Sequence, residues 1–250
     1  MREGGWVFIS HSHQDINLIR KIRNHLENLG FEPIMFYLKC LSEDNEVEDL
    51  IKREIEARDW FIYADSENAR ASKWVKTERD YIEQLSGKKI FTIDLNEDID
   101  KQLKCIEHIA RQMKVFISYS HRDRYLKDII TQKLLAKDMM VMCDTDVLQI
   151  GSNWNDIIDN TLNDVSKNGF VLVILTENSI NSKAVMNEID TTIACGGKII
   201  PVYVGDVKLS LEMQRKIGDI VGIKINENPT NQDMDYIVEV ISSKIEFDYK

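Results

Sequence analysis

VFISYSHRD, at residues 115–123, decides how this 250-residue chain is organised, because VFISHSHQD has already occurred at residues 7–15. The two stretches differ only at their fifth and eighth residues, and they start 108 residues apart (115 minus 7). Two further blocks repeat in the same order at an offset of 110: SENARASKWVKTE (66–78) returns as TENSINSKAVMNE (176–188), and GKKIFTIDL (87–95) as GKIIPVYVG (197–205). Such a period is too long for a solenoid and suits one compact domain per copy. The repeat therefore predicts two tandem domains, at residues 1–112 and 113–250.

Composition limits the class of protein. Apolar residues make up 43% of the chain and charged residues 30%, as in ordinary globular domains. The net charge of -10 is shared equally between the halves, so neither half has the clustered Lys and Arg of a nucleic-acid domain. No run approaches the roughly 18 apolar residues of a membrane helix, so we expect a cytoplasmic protein with no membrane contact. The four cysteines are scattered without a C-x-x-C pair, so we expect no metal site.

In both copies, short runs of apolar residues alternate with longer segments in which the apolar residues have helical spacing. In the first copy they predict strands at Trp6–Ile9, Phe31–Leu38, Trp60–Ala64 and Ile90–Leu95, and helices at Ile16–Leu29, Val47–Ala57, Trp74–Leu85 and Ile99–Met113. In the second copy the strands are Val115–Ser118, Met139–Cys143, Phe170–Leu175 and Ile199–Val204, and the helices are Leu126–Leu135, Trp154–Leu162 and Lys183–Ala194. The second copy continues with a helix at Leu211–Ile217, a fifth strand at Ile220–Ile225 and a helix at Met234–Ile245. This alternation predicts two α/β domains of the flavodoxin-like type, each a mainly parallel sheet with helices on both faces.

Five motifs follow one another in the second copy. They are FISYS-x-x-D at residues 116–123, Asp144 and Asp146 with Gly151 and Trp154, VLVILTENS at 171–179, SKxxxxE at 182–188, and GKIIPV at 197–202. In this order they resemble a Toll/interleukin-1 receptor (TIR) domain of the bacterial type. Residues 5–96 resemble the same family more weakly, because residues 39–49 lack the Asp, Gly and Trp pattern.

The resemblance implies one of two functions. Some TIR domains are non-catalytic adaptors that self-associate, whereas others cleave NAD+ at the nicotinamide-ribose bond to give linear, cyclic or conjugated ADP-ribose. In the enzymes an essential glutamate lies in a W-V-x-x-E pattern, which Trp74, Val75 and Glu78 match. Glu188 matches in the second copy, where Ala184 replaces the tryptophan. The resemblance thus implies an NAD+ glycohydrolase or ADP-ribosyl cyclase of bacterial anti-phage immunity, with NAD+ as its substrate and no separate cofactor.

One carboxylate per site is enough for this chemistry. Nicotinamide departs as a neutral molecule, and the transition state resembles the oxocarbenium ion of glycoside cleavage. A carboxylate close to the ribose can stabilise that cation, so Glu78 and Glu188 are the candidate catalytic residues. In an open parallel sheet the ligand lies beyond the carboxyl ends of the strands. The candidate substrate-binding residues there are Ser10, His11, Trp74, Ser118 and Tyr119, with Trp74 or Tyr119 stacking on an aromatic base.

The aspartates of the opening motif and the loop after the second strand predict two further structural roles. Asp15 and Asp123 end the repeated opening motif and are expected to cap the helices that follow. Turn chemistry alone would account for Asp144, Asp146 and Gly151, but in the TIR family their loop, which reaches Trp154, contacts neighbouring domains. We therefore expect self-association, and a composite site in which this loop from another copy closes over Glu78. A protein or nucleotide-signal effector is a further expected partner.

Two alternatives to NAD+ cleavage stay open. A self-assembly module would polymerise with concentration and leave NAD+ intact. An enzyme similar to the nucleoside deoxyribosyltransferases would also use a carboxylate at an anomeric carbon, but it would act on deoxynucleosides.

Overall fold

The computed structural model describes residues 5–35, 44–143 and 154–244. The chain divides into two compact units, one up to Ala110 and one from Arg111 onward. A helix, Ile99–Met113, runs across this division. The position of the predicted boundary between residues 112 and 113 therefore stays a prediction.

The first unit is a four-stranded parallel sheet with helices between its strands. Its elements are β1 (Trp6–Ser10), α1 (Ile16–Asn28), β2 (Glu32–Ile34), α2 (Asp44–Ala57), β3 (Trp60–Asp65), α3 (Glu67–Ala71), α4 (Lys73–Gln84), β4 (Lys89–Asp94) and α5 (Ile99–Met113). The strand order is β2-β1-β3-β4, and every pairing is parallel. The chain moves outward in one direction from β1 to β2 and in the other from β3 to β4. With right-handed crossovers, this places helices on both faces of the sheet.

The second unit repeats this arrangement with one more strand. Its elements are β5 (Lys114–Ser118), α6 (Arg124–Leu135), β6 (Met140–Cys143), α7 (Trp154–Asn168), β7 (Phe170–Leu175), α8 (Lys183–Ala194), β8 (Lys198–Val204), α9 (Leu211–Ile217), β9 (Ile223–Ile225) and α10 (Asn231–Lys244). The order β6-β5-β7-β8-β9 is the flavodoxin-like order. The predicted fold class is confirmed, and in the described ranges the first sheet has one strand fewer than the second.

The strands at the centre of each sheet are apolar along most of their length because both of their faces are covered. All six side chains of β7 are buried, as are all five of β5 and five of the six of β3. A strand that is covered on both faces needs an apolar run rather than an alternating pattern. Helices α2 and α4 cover one face of the first sheet, where Ile51, Ile55 and Ile82 form a cluster with Phe8 and Phe61 of the strands.

Several predicted elements differ from the structure in length. The strand β2 has three residues, and residues 36–38 of the predicted strand lie outside the described ranges. Helix α7 continues to Asn168, six residues past its predicted end (168 minus 162), with Val165 still buried. The last strand, β9, begins at Ile223 rather than Ile220. Helix α3 was not predicted, because its five residues are too few to show helical periodicity.

The outer parts of the two sheets have different chemistry. In the second unit, α9 contributes Met213 and Ile217 to an apolar cluster with Val173, Leu175 and Ile189. The residues 110 positions before these last three are Tyr63, Asp65 and Arg79. Arg70 donates two hydrogen bonds to Asp65 (2.8 and 2.6 Å), and the Arg79 guanidinium lies 5.1 Å from the centre of the Tyr63 ring. Among the described residues the first sheet ends at β4, and polar groups that bond to one another occupy the positions that α9 covers in the second unit.

No helix in the described ranges has both the length and the apolar character that a membrane span requires.

Candidate active site

Strand and helix periodicity bring a serine of β1 to a glutamate of α4. Alternate side chains of a strand share a face, so Ser10 points to the same side as Phe8. Phe8 belongs to the same core cluster as Ile82 of α4. Glu78 precedes Ile82 by one helical turn and lies on the same face of the helix. The packing of α4 on the sheet therefore places Glu78 beside Ser10.

The two side chains form a short buried hydrogen bond. Ser10 Oγ donates to Glu78 Oε2 at 2.5 Å. Glu78 is only 7% exposed. Burial raises the pKa of Glu78 from 4.5 to about 7, and the hydrogen bond from Ser10 opposes this rise. Loss of hydration disfavours the charged form of a carboxyl group. Near neutral pH the carboxyl group is thus close to its titration midpoint, as is common for groups that act in catalysis.

Glu78 and residues of α2 and α4 line a small pocket that is partly open to solvent. Trp74 and Tyr81 supply aromatic walls from α4. Lys52 of α2 lies 2.7 Å from the Glu48 carboxylate and 5.9 Å from the centre of the Tyr81 ring. The residues that line this space thus include two aromatic residues, the two members of an ion pair and Glu78, and the surface they present to it is almost entirely apolar. Two aromatic side chains at one pocket are the kind of surface on which a flat ligand can stack.

His11 lies just beyond Ser10 at the same end of β1. Its Nδ1 donates to the backbone oxygen of Ile9 at 3.1 Å, which ties the ring back to the strand. Burial lowers the pKa of His11 below its usual 6.5, so the ring is neutral at pH 7. In the first unit the structure therefore brings Ser10 and His11 together at the strand end, with Glu78 and Trp74 on the neighbouring helix.

The second unit repeats the central pair without the aromatic walls. Ser118 Oγ donates to Glu188 Oε2 at 2.5 Å, and Glu188 is 6% exposed. The positions equivalent to Trp74 and Tyr81 are Ala184 and Thr191. Neither of these two equivalent positions in α8 carries an aromatic ring.

Tyr119, a predicted stacking residue, is 5% exposed. The Lys127 ammonium group lies 5.6 Å from the centre of its ring, and the His121 ring lies 5.8 Å from it. Stacking on a base would require the ring to be uncovered, and this role stays a prediction.

The expected capping role of Asp15 is wrong. Asp15 occupies the position before α1, but its side chain makes no capping hydrogen bond. Its Oδ2 accepts a hydrogen bond from Ser66 Oγ at 2.5 Å, and its Oδ1 accepts one from Asn68 Nδ2 at 2.6 Å. The physical reason is that Ser12 already caps the 3-10 turn His13–Asp15 that precedes the helix. The carboxylate instead joins the loop after β1 to the segment after β3.

The same correction applies to Asp123 in the second unit. Its side chain does not cap α6. Its two oxygens accept hydrogen bonds from Thr176 Oγ1 at 2.6 Å and Asn178 Nδ2 at 2.7 Å. The sequence carried a signal for these partners, because the triplets SEN (66–68) and TEN (176–178) both follow the third strand of their copy.

Most of the predicted assembly loop lies outside the described ranges. This applies to Asp144, Asp146 and Gly151, while Trp154 is the first residue of α7. Among the described residues, no three His, Cys, Asp or Glu side chains are grouped so as to hold a metal ion. The chemistry that the described groups offer is a buried carboxyl group with a hydroxyl donor beside an aromatic pocket.

Comparison with protein families gives a match in both units. The family described as "TIR domain" matches residues 7–112 and 115–238. One curated relative is 28% identical over 109 residues, which span 40% of this chain and 28% of the relative. It is the Cytobacillus dafuensis protein named "Putative cyclic ADP-D-ribose synthase TIR2". The match thus spans less than a third of that protein's length.

Solved structures give weaker likenesses. The TIR domain of the Toll-related receptor TRR-2 from Hydra magnipapillata is 12% identical, with a TM-score of 0.37, over 44% of this chain and 82% of the receptor chain. The TIR domains of the activated Roq1 resistosome are 15% identical, with a TM-score of 0.40, over 53% of this chain and 99% of that chain. Because these scores are low, the family assignment relies on the sequence match alone.

Proposed function

This chain belongs to the TIR domain family through both of its halves, and on that premise we propose that it cleaves NAD+ at the nicotinamide-ribose bond, with Glu78 as its principal catalytic residue. The observation that carries the proposal is the position of Glu78. Glu78 is one of the residues that line the aromatic pocket, and its buried carboxyl group accepts a hydrogen bond from a serine at the carboxyl end of a central strand.

The chemistry requires a negative charge close to the ribose. As the bond to the neutral leaving group breaks, positive charge develops on the anomeric carbon and the ring oxygen. A carboxylate held in a site with little water stabilises that charge more strongly than it would in solution. Ser10 engages Oε2 of Glu78, so Oε1 is the atom that would accept hydrogen bonds from the ribose hydroxyls.

The two aromatic side chains of the pocket favour a flat leaving group. Trp74 lies one turn before Glu78 on α4 and would offer its ring to nicotinamide or to the adenine base. Water that leaves the pocket when the ligand enters would strengthen every electrostatic contact there. The first unit has both aromatic walls, so it is the proposed site of the main activity.

The ionisation of Glu78 sets the expected pH dependence. The acting form is the carboxylate, and its pKa is about 7. Activity should therefore be low at pH 5 and rise as pH passes through about 7.

The test is nicotinamide release from NAD+ by the purified full chain, both dilute and in a crowding agent. Glu78→Gln keeps the size and the hydrogen bond from Ser10 but has no charge, so it should abolish most of the release. Glu188→Gln tests the second unit in the same way. Glu83→Gln is the matched control, because Glu83 is an exposed glutamate on the same helix. Equal release by the parent and by Glu78→Gln would refute the assignment.

The product is a finer proposal. The name of the Cytobacillus dafuensis relative, a cyclic ADP-D-ribose synthase, supports cyclic ADP-ribose as the product. We propose that this product would act as a nucleotide signal in anti-phage defence. Chromatography of the reaction mixture distinguishes cyclic from linear and conjugated ADP-ribose by comparison with standards.

Self-association through the loop of Asp144, Asp146, Gly151 and Trp154 is part of the same proposal. It predicts that release per molecule rises with protein concentration, and that Trp154→Ala removes this rise. If the chain polymerises and releases no nicotinamide, it is an assembly module. If it exchanges the bases of deoxynucleosides and leaves NAD+ intact, the deoxyribosyltransferase alternative is correct.

A further inference from the structure

We propose that Asp15 is a positioning residue for the Ser10–Glu78 pair, because it joins the loop after β1 to the segment that leads from β3 into α4. The inference rests on the function proposed above. It adds a residue that sets the geometry of that site without touching the substrate.

Both side-chain oxygens of Asp15 are hydrogen-bonded by residues that follow the neighbouring strand, β3. It is 8% exposed. Both of its oxygens accept hydrogen bonds, at 2.5 Å from Ser66 Oγ and at 2.6 Å from Asn68 Nδ2. Strands β1 and β3 are adjacent, and they form the switch point of the sheet, where connections leave in opposite directions. A buried carboxylate bound by two donors is stiff, since movement would leave it without these partners.

The segment from Ser66 to Glu78 has little freedom of its own. Ser66 Oγ accepts a hydrogen bond from the Ala69 amide at 2.9 Å and so starts α3. Ser72 is the one residue between α3 and α4, and its hydroxyl caps α4 by accepting from the Val75 amide at 3.4 Å. Two capped helices in direct succession therefore transmit the position of Ser66 to Glu78.

These contacts close a ring. From Glu78 the hydrogen bond at 2.5 Å returns to Ser10, and the chain then runs through a tight turn, closed by the Asp15 amide and the Ser12 oxygen at 3.0 Å, back to Asp15. Two side-chain hydrogen bonds close this ring in addition to the β1–β3 ladder, namely those of Ser10 with Glu78 and of Ser66 with Asp15. Core packing places α4 beside β1, and the Asp15 contact restrains the freedom that remains in the distance between Ser10 Oγ and the Glu78 carboxyl group.

The second unit builds the same ring from different parts. A threonine, Thr176, replaces the serine, and the 3-10 turn Ser179–Asn181 replaces α3. Asp123 nevertheless accepts from Thr176 and Asn178 at 2.6 and 2.7 Å, and Ser118 donates to Glu188 at 2.5 Å. Both side-chain hydrogen bonds occur together in each unit although the connection between them differs. This co-occurrence supports a shared role.

The experiment measures the ionisation midpoint of Glu78 in the full chain by carbon-13 NMR of labelled glutamate carboxyl groups, with the signal identified by its loss in Glu78→Gln. Asp15→Asn is the test variant, because one acceptor oxygen becomes an NH2 group that faces a donor. Ser10→Ala is the reference for the loss of the hydrogen bond between Ser10 and Glu78. We expect Asp15→Asn to move the midpoint upward toward that of Ser10→Ala. The double variant should shift no further than Ser10→Ala alone, since the two changes act through one contact.

The direction in which the Glu78 midpoint shifts distinguishes a positioning role of Asp15 from a direct effect of its charge on Glu78. Removing the negative charge of Asp15 would by itself lower the midpoint of a nearby carboxyl group. The other charged groups at the pocket, Glu48 and Lys52 of α2, are the same in all variants. An upward shift therefore reports the loss of the hydrogen bond from Ser10.

The same variant should also change the kinetics of nicotinamide release. For Asp15→Asn, kcat should fall by about 10-fold to 100-fold with a smaller change in KM, as expected for a misplaced catalytic group.

An Asp15→Asn variant that is less stable but keeps the parent's Glu78 midpoint and kcat would overturn the proposal. If that variant does not fold, Asn68→Ala replaces it, because it removes one donor and keeps the charge and the Ser66 contact. An unchanged midpoint and kcat in Asn68→Ala would overturn the proposal equally. A parent that releases no nicotinamide refutes the proposed function, whereas the midpoints still decide whether Asp15 positions the pair.

Discussion

Replacing Glu78 with glutamine should remove a pH dependence from the stability of the first unit. In the folded protein burial raises the pKa of Glu78 to about 7, whereas its ordinary value is 4.5. The folded state therefore keeps a proton that the unfolded chain releases at lower pH. The contribution of this proton to stability is complete below pH 4.5 and is lost as pH rises through about 7.

The size of the effect follows from the two pKa values. They differ by about 2.5, and one pKa unit corresponds to about 1.4 kcal/mol. Because pH 5 already lies above the lower value, the protein should lose about 2 to 3 kcal/mol of this between pH 5 and pH 8. Glutamine stays neutral over this range and loses nothing. The difference in unfolding free energy between parent and Glu78→Gln should therefore change by about 2 to 3 kcal/mol in favour of the variant as pH rises.

The tryptophans make a selective assay available. Three of the four, Trp6, Trp60 and Trp74, lie in the first unit. In a Trp154→Phe background, urea unfolding followed by tryptophan fluorescence reports on that unit alone. Parent and variant are compared at pH 5, 6, 7 and 8, and Glu83→Gln serves as the exposed control. A difference that stays constant from pH 5 to pH 8 would show that Glu78 ionises like a surface carboxyl group, and the electrostatic argument for the site would be refuted.

Two further predictions concern activity. Ser10→Ala should move the midpoint of the pH profile of nicotinamide release to higher pH, because the lost hydrogen bond is the interaction that holds the pKa of Glu78 down; a midpoint shared by both proteins would contradict this. Trp74→Ala should raise KM by more than Trp74→Phe, because phenylalanine keeps an aromatic wall and stacking contributes roughly 0.5 to 1.5 kcal/mol, about a 2-fold to 10-fold change. Steady-state kinetics of both Trp74 variants measure this, and equal KM values would remove the ring from the binding site.

The sequence was sufficient to predict the architecture because the repeat and the apolar runs are strong signals. Strand β7 and helices α5, α8 and α9 have the predicted bounds. Helical spacing in the sequence also indicates that Glu78 shares a face with Val75 and Ile82. All three residues are buried in the structure. The same periodicity places Glu188 with Val185 and Ile189.

Local rules failed where contacts between distant segments decide the outcome. The capping prediction for Asp15 used only the residues next to it, whereas its partners lie 51 and 53 positions later. Helix α3 depends on the Ser66 cap, and Ser66 is itself held by Asp15. Propensity and spacing describe neighbours in sequence, so they cannot show which polar group a tertiary fold will bring into contact.

The two units together separate what the scaffold needs from what a ligand needs. Burying a glutamate lowers the free energy of unfolding. The charged form loses its hydration, and the neutral form must bind a proton at a pH where an exposed glutamate would be ionised. A leucine would fill such a helix position at lower cost in free energy, and a structural role alone does not explain the glutamate. Yet both units bury one there and give it a serine donor. The aromatic walls Trp74 and Tyr81 occur in the first unit only, so they are not a requirement of the fold. The proposed reaction would account for a buried carboxyl group in each unit, and stacking on a base would account for the aromatic residues of the first unit, which is why Glu78 is the residue to mutate first.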